Sequence, residues 1–283
     1  MAEPGRRDVW RRLRRNRLAV ASIAVIFLLA VASLVGPSLS PHAYDQLDWS
    51  ALARPPTFDG SHWLGTDQLG RDLLVRTLYG VRVSLLIALL ATAVSVVIGV
   101  AWGATAGYVG GRLDSIMMRM VDVLYSLPYI FFVIVLTVLF GRSPVLLFIA
   151  IGAVGWLTMA RIVRGQTLSL RHREFIEAAV ATGASTPRIL LRHVAPNVVG
   201  PVVVYTSLII PQMILYESFL SFLGLGVQEP LSSLGSLVAE GAAGMESSPW
   251  MLVVPAAVLV TLLVCCTFLG DGLRDALDPA ESR

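Results

Sequence analysis

No lysine occurs anywhere in these 283 residues; all 22 basic side chains are arginine. That absence excludes a P-loop nucleotide site, whose lysine must reach the β/γ-phosphates. The sequence also has no HExxH, no paired CxxC and no GxSxG, the spacings that mark zinc or nucleophile-elbow chemistry. The four histidines, His42, His62, His172 and His193, are scattered. The only cysteines are neighbours, Cys265 and Cys266, and adjacent positions do not easily close a normal disulfide. They read as two small apolar packing residues. Catalysis, a metal site and a cofactor site within this chain are therefore not expected.

Charge is scarce too. Charged residues make up 14% of the chain and hydrophobic ones 55%, with a mean hydropathy of +0.73. A water-soluble domain carries about 25% charged residues. The gaps between charges are long: Leu18–Tyr44, Val83–Gly111, Val123–Gly141, Ser143–Ala160, His193–Tyr216 and Ser247–Gly270 contain no Asp, Glu, Lys or Arg. Each has roughly the 18 or more apolar residues that a helix needs to cross a 30 Å hydrocarbon core. Helices are expected because a backbone in lipid must satisfy its own hydrogen bonds. The predicted fold is thus all-α and integral to a membrane, with six spans.

Arginine placement orients the spans. With the N-terminus inside, 17 of the 22 arginines fall on the inner side: seven at Arg6–Arg17, then Arg112, Arg119, six from Arg161 to Arg192, Arg274 and Arg283. Arg54, Arg71, Arg76, Arg82 and Arg142 fall outside. This asymmetry follows the positive-inside rule and puts both termini in the cytoplasm. The net charge of +3 reads as topology, with no nucleic-acid footprint. The first apolar run continues past Ala30-Val31-Ala32, so it reads as a retained anchor rather than a cleaved signal peptide. The organisation is a basic head and first anchor helix over 1–40, an extracytoplasmic segment over 41–82, and a five-helix core over 83–283.

Span interiors are bare of charge. Arg119 and Asp122, three residues apart, have the spacing of a local helical pair, and Glu217 lies near the outer end of span five, facing an outside arginine or solute. An ion-coupled carrier needs a central ionisable group, so the energy must come from elsewhere. The cytoplasmic loop at 161–195 is where a partner would act. Arg171 to Ala181 is built of helix formers, with Phe175, Ile176, Ala179 and Val180 at helical spacing. Gly183 stands where a C′ glycine ends a helix. Thr186-Pro187 reads as an N-cap and first-turn proline, opening a second short helix over Arg188–His193 that runs to Pro196, which suits the start of span five.

Glu177-Ala178-Ala179, three residues, Gly183, then nine residues before His193-Val194-Ala195-Pro196-Asn197 resembles the EAA loop of ABC-importer permeases. Ala195 stands where that pattern has leucine, which weakens one expected apolar contact. Further stretches resemble the C-type permeases of the dipeptide, oligopeptide and nickel importer family. They include His62-Trp63-Leu64-Gly65-Thr66-Asp67 through Gly70-Arg71-Asp72, the run Glu217-Ser218-Phe219-Leu220-Ser221-Phe222-Leu223-Gly224, and the tail Asp271-Gly272-Leu273-Arg274-Asp275-Ala276-Leu277-Asp278-Pro279. Asp67 and Asp72 also suit helix caps or turns.

The resemblance implies the MetI-like fold of type I importers in a bacterial plasma membrane. It implies a second, B-type permease, two ATP-binding subunits that hold ATP and Mg, and an extracytoplasmic solute-binding protein. Glu177, Ala178, Ala179, Gly183 and Pro196 would form the coupling element on the ATPase, and Glu217 an outer gate or part of the solute path. Di- and oligopeptides are the implied solutes, with nickel or another small solute as the alternative. An ion-coupled carrier or a non-transporting scaffold would need no such loop.

Overall fold

The computed structural model describes residues 6–57, 62–141 and 143–277. Arg142, Arg283 and the Asp278-Pro279 end of the tail motif lie outside the described residues. Among the described residues the chain is helical, with one isolated β-bridge between Thr66 and Asp72. A short α1 (Arg6–Arg15) precedes α2 (Arg17–Leu39). After an irregular stretch come α3 (Leu73–Val109), α4 (Gly111–Ser126), α5 (Tyr129–Phe140) and α6 (Pro144–Arg171). Then α7 (Glu174–Ala181), α8 (Thr186–Ile189) and a π turn (Leu190–Val194) lead into α9 (Ala195–Phe222). The chain closes with α10 (Leu234–Ala243) and α11 (Trp250–Leu277).

Among the described residues, five helical stretches are long and apolar enough to cross a membrane: Arg17–Leu39, Leu73–Val109, Pro144–Arg171, Thr186–Phe222 and Trp250–Leu277. The third expected span, Val123–Gly141, is not one helix. Its first residues finish α4, and the chain breaks at Leu127-Pro128 before α5. Leu127 is extended, with φ −78° and ψ 134°, the conformation forced on a residue before proline. Pro196 lies in the first turn of α9, at the start of the span where it was expected. The wide turn at Leu190–Val194, where Ala195 N–H reaches back five residues to the Leu190 carbonyl, leaves room for a ring that would clash in a regular helix. Between α9 and α11 stands α10, started by a reciprocal Ser233–Ser236 capping box.

α3 packs most extensively on α6. Glycine makes this close approach possible: a β-carbon on Gly103 would collide with the Ala160 carbonyl, and one on Gly99 with Met159. Small residues at such spacing let helix backbones meet without a hydrophobic driving force. The main core joins these helices to α9 and α11 through Ile87, Ala91, Ile151, Met159, Val163, Met213 and Leu262. Large apolar side chains cover the outside instead, such as Phe27 at 69%, Val97 at 69% and Val253 at 61% exposure. A surface so apolar is a lipid-facing one. Cys265 and Cys266 are buried and unbonded within α11, as small packing residues.

Candidate coupling site and outer charge cluster

The C-terminal end of α6 carries the loop. Arg164 grips Asp114 on α4 through a two-pronged bond, Nε to Oδ1 and Nη2 to Oδ2, both 2.6 Å. One turn away, Arg161 Nη2 donates to Asp122 at 2.9 Å, and its guanidinium lies 4.3 Å from the Tyr125 ring centre. Asp122 therefore pairs across helices with Arg161, not locally with Arg119, because α4 and α6 run side by side here. Such forked pairs fix geometry as well as charge. They tie α4 to the root of α7.

α7 and α8 form the expected pair of short helices, and the turn between them is fully specified. Gly183 N–H donates to the Val180 carbonyl at 2.9 Å, and Ala184 N–H to the Ala179 carbonyl at 3.0 Å. This is the double bond pattern of a Schellman turn, with glycine at C′ in the left-handed region at φ +80°. The second helix begins at Thr186, one residue earlier than the cap assignment implied, with Ser185 preceding it. Ile176 and Ile189 are 2% and 1% exposed and anchor the pair to the main core. Phe175 meets His193 across the gap at 6.5 Å between ring centres.

What is left exposed is the candidate docking face. Glu177 and Ala178 are exposed, and Ala179 is half-buried. Among the described residues nothing pairs with the Glu177 carboxylate. Beside it stand Val180, 54% exposed, and Leu191, 76% exposed, with Arg188 and Arg192 also in solvent. A shallow groove between this pair and the end of α3 is lined by Tyr108, Arg171, Glu177, Val180 and Thr186. Pro196 is exposed just beyond the π turn. Glu177, Ala178, Ala179 and Gly183 are thus brought together, and Pro196 lies at the start of the helix that leaves them.

On the opposite side, sequence reading missed a buried ionic network. Arg76, fully buried, donates to Asp67 and takes Glu240 in a fork at 2.7 and 3.1 Å. Arg71 Nε donates to Asp67 at 2.6 Å and Nη2 to Glu229 at 2.9 Å. Burial opposes the charge on Arg71, but the bond to Asp67 and its Coulombic pull, then Glu229, hold its pKa above the ordinary value. Asp67 also accepts from the Leu69 and Arg71 N–H groups, so it organises a turn, whereas Asp72 caps α3 by accepting from Val75 N–H at 2.9 Å. Asp72 Oδ2 lies 2.8 Å from His62 Nδ1.

Glu217 meets no arginine among the described residues. It is fully buried, and Ser84 and Ser221 each donate a 2.7 Å bond to its two oxygens. Ser84 in turn accepts from Leu234 N–H at 3.1 Å, and Ser221 from Ser233, whose hydroxyl oxygen accepts from Ser236 N–H at 3.2 Å. Two serine relays therefore run from the first turn of α10 to this carboxylate. The unpaired N–H groups of a helix start are electropositive and favour a nearby anion. The local signal was present in Ser84, Ser218, Ser221 and Ser233, but nothing in the sequence placed them around one carboxylate.

Comparison with known proteins agrees with this architecture. Residues 95–283 match the family described as binding-protein-dependent transport system inner membrane component, and residues 6–56 match the N-terminal TM domain of oligopeptide transport permease C. The oligopeptide transport system permease protein OppC of Haemophilus influenzae is 53% identical over 97% of this chain and 88% of its own length. OppC of Escherichia coli K12 is 54% identical over 97% of this chain and 91% of its own. The dipeptide transport system permease protein DppC of Bacillus subtilis is 44% identical over 98% and 86%. A chain of the MetNI methionine ABC transporter in an inward facing conformation superposes with a TM-score of 0.58 at 20% identity, covering 73% of this chain and 97% of that one. At that identity the likeness concerns the fold. Apolar spans, fold and sequence agree, and the chain belongs to the family of inner membrane components of binding-protein-dependent transport systems.

Proposed function

We propose that this chain forms half of the translocation pathway of an ATP-driven importer for di- and oligopeptides. It is non-catalytic, and partner subunits bind ATP and Mg and hydrolyse the nucleotide. The observation that carries the reading is the α7–Gly183–α8 pair: firmly rooted by Ile176 and Ile189, yet presenting Glu177 unpaired to solvent. A segment rigid at its base and open at its face suits a load-bearing contact. The names borne by the relatives favour peptides over nickel or another small solute.

In this reading the chain crosses the membrane six times with both termini cytoplasmic. α5, about 18 Å long at 1.5 Å per residue, is too short to cross alone, and with the end of α4 it makes one broken crossing. The divisions are a head and anchor at 1–40, an outer segment at 41–82 and a core at 83–283. A B-type permease completes the path, two ATP-binding subunits seat on α7 and α8, and a solute-binding protein docks outside. Glu177, Ala178, Ala179 and Gly183 form the contact, with Pro196 setting the exit of the second helix. Glu217 belongs to the outer gate through its hold on α10, and its complete burial speaks for posture over solute contact.

The function test is nucleotide hydrolysis by the assembled complex. Peptide-loaded binding protein is expected to raise it several-fold over unloaded binding protein. Equal hydrolysis with and without peptide would reject the assignment.

Topology is tested separately. Ser50 is exposed in the outer segment and Ser169 near the end of α6, while Cys265 and Cys266 are buried. In sealed cells Ser50→Cys is expected to react with an impermeant maleimide and Ser169→Cys only after permeabilisation. The reverse pattern would invert the orientation.

A further inference from the structure

The most densely charged stretch of the chain is α1, in which six of ten residues are arginine. It is not a loose tail. Leu13 is 5% exposed and packs with Ala19 on α2 and Ala276 on α11, with Ile23 and Leu273 around them. Asn16 breaks the helix with an extended backbone and caps α2 by accepting from Ala19 N–H at 3.2 Å. α1 is thereby folded against the last turns of α11 instead of continuing α2.

The lipid-facing surface starts at once on the other side of that turn. Leu18 is 59% exposed, followed along α2 by Phe27, Leu28 and Leu34. Trp10 on α1 is 53% exposed, and the Arg14 guanidinium stacks 4.9 Å from its ring centre. Arg14, Arg15 and Arg17 are exposed. A cleft between α1 and α11 is lined by Arg12, Arg15, Asn16, Gly272, Asp275 and Ala276, with Asp275 its one carboxylate. An aromatic side chain and a belt of arginines, fixed within a turn of exposed leucine, match the boundary between acyl chains and headgroups.

We propose that α1 is an anionic-lipid docking site, in which Arg14, Arg15 and Arg17 take the headgroup phosphates of acidic phospholipids while Trp10 sits at the interface. Two observations choose lipid over a protein partner. The basic face is continuous with the lipid-facing surface of α2, and its charge is complementary to a leaflet of acidic headgroups. The docking would hold the start of α2 and the end of α11 at one depth. That the leaflet is the cytoplasmic one rests on the orientation proposed above; the arginine–phosphate contact does not.

The test uses the full chain with its partner subunits, purified in detergent and given equal amounts of phosphatidylglycerol and phosphatidylcholine. Retained lipid is counted by native mass spectrometry. Phosphatidylglycerol is expected to be held in several-fold preference. The Arg14→Gln, Arg15→Gln, Arg17→Gln triple variant should lose that preference, a single arginine contributing at most about fivefold. The matching triple lysine variant should keep it, because the attraction is to charge. Leu13 is untouched in both, and Arg14→Gln alone, at an exposed position, gives a single-step reading should the triple variant fold poorly. Undiminished preference in the glutamine variants would overturn the proposal. So would its abolition by millimolar inorganic phosphate, which would mark a free-anion site, or loss of partner subunits with lipid retention intact, which would mark a protein interface. The labelling of Ser50→Cys and Ser169→Cys fails or succeeds independently of all these outcomes.

Discussion

Replacing Arg76 by leucine is expected to destabilise the protein by about 3 kcal/mol, the lower end of the cost of removing one partner of a buried ion pair, because Asp67 keeps its bond to Arg71. Arg76 is fully buried and is held by Asp67, itself 1% exposed, and by Glu240. Without it, two arginines facing three carboxylates become one facing three, of which Asp67 is buried while Glu240 and Glu229 are 31% and 60% exposed. The loss also unties the outer segment from α10, since Asp67 belongs to the former and Glu240 to the latter. Arg76→Lys keeps the charge but cannot reproduce the fork to Glu240 at 2.7 and 3.1 Å, so it should fall between wild type and Arg76→Leu. Thermal melting of the purified protein checks this. Equal midpoints for wild type and Arg76→Leu would mean that the network adds nothing to stability.

The second large effect is expected at the turn between α7 and α8. No atom lies within 4 Å of where a Gly183 β-carbon would be, so a substitution there meets no steric neighbour. Its whole effect comes from the backbone, held at φ +80°. A left-handed conformation costs an ordinary L-residue about 1–2 kcal/mol, and asparagine tolerates it better. A β-branched residue is a worse outlier. Gly183→Val is therefore expected to lower loaded-binding-protein-stimulated hydrolysis about tenfold while membrane levels stay normal, and Gly183→Asn to retain most of it. Glu177→Arg tests the face itself. Glu177 is exposed and pairs with nothing among the described residues, so reversal should leave the isolated chain as stable as wild type. Reversing one side of an interfacial charge contact can cost several kcal/mol, and the variant should retain the ATP-binding subunits poorly on purification. Normal retention and stimulation in both Gly183→Val and Glu177→Arg would show that another surface does the coupling.

The parts legible in the sequence were those fixed by neighbours along the chain. Charge-free runs announced the spans, and the α7–Gly183–α8 turn was written in a glycine, a proline and a helical apolar spacing, all within 20 residues. Proline was read less well. Pro128 broke an expected span because its ring constrains Leu127, and Pro201, Pro211 and Pro255 sit inside helices, whereas Pro196 starts α9 as read. Distance in sequence hid the rest. Arg76 and Glu240 are separated by 164 positions and Ser84 and Glu217 by 133, and only the packing of α3 against α9 and α10 brings them together. The Arg161–Asp122 pair was missed for the same reason: a partner three residues away in sequence looked nearer than one 39 residues away on the adjoining helix.

The most direct measurement of the central claim is peptide accumulation in proteoliposomes holding this chain, its partner permease and the ATP-binding subunits, with the binding protein supplied. Accumulation is predicted to require ATP and the loaded binding protein. It should continue when ionophores collapse proton and sodium gradients, because the spans carry no central ionisable relay. Uptake driven by an ion gradient in the absence of nucleotide would contradict the account.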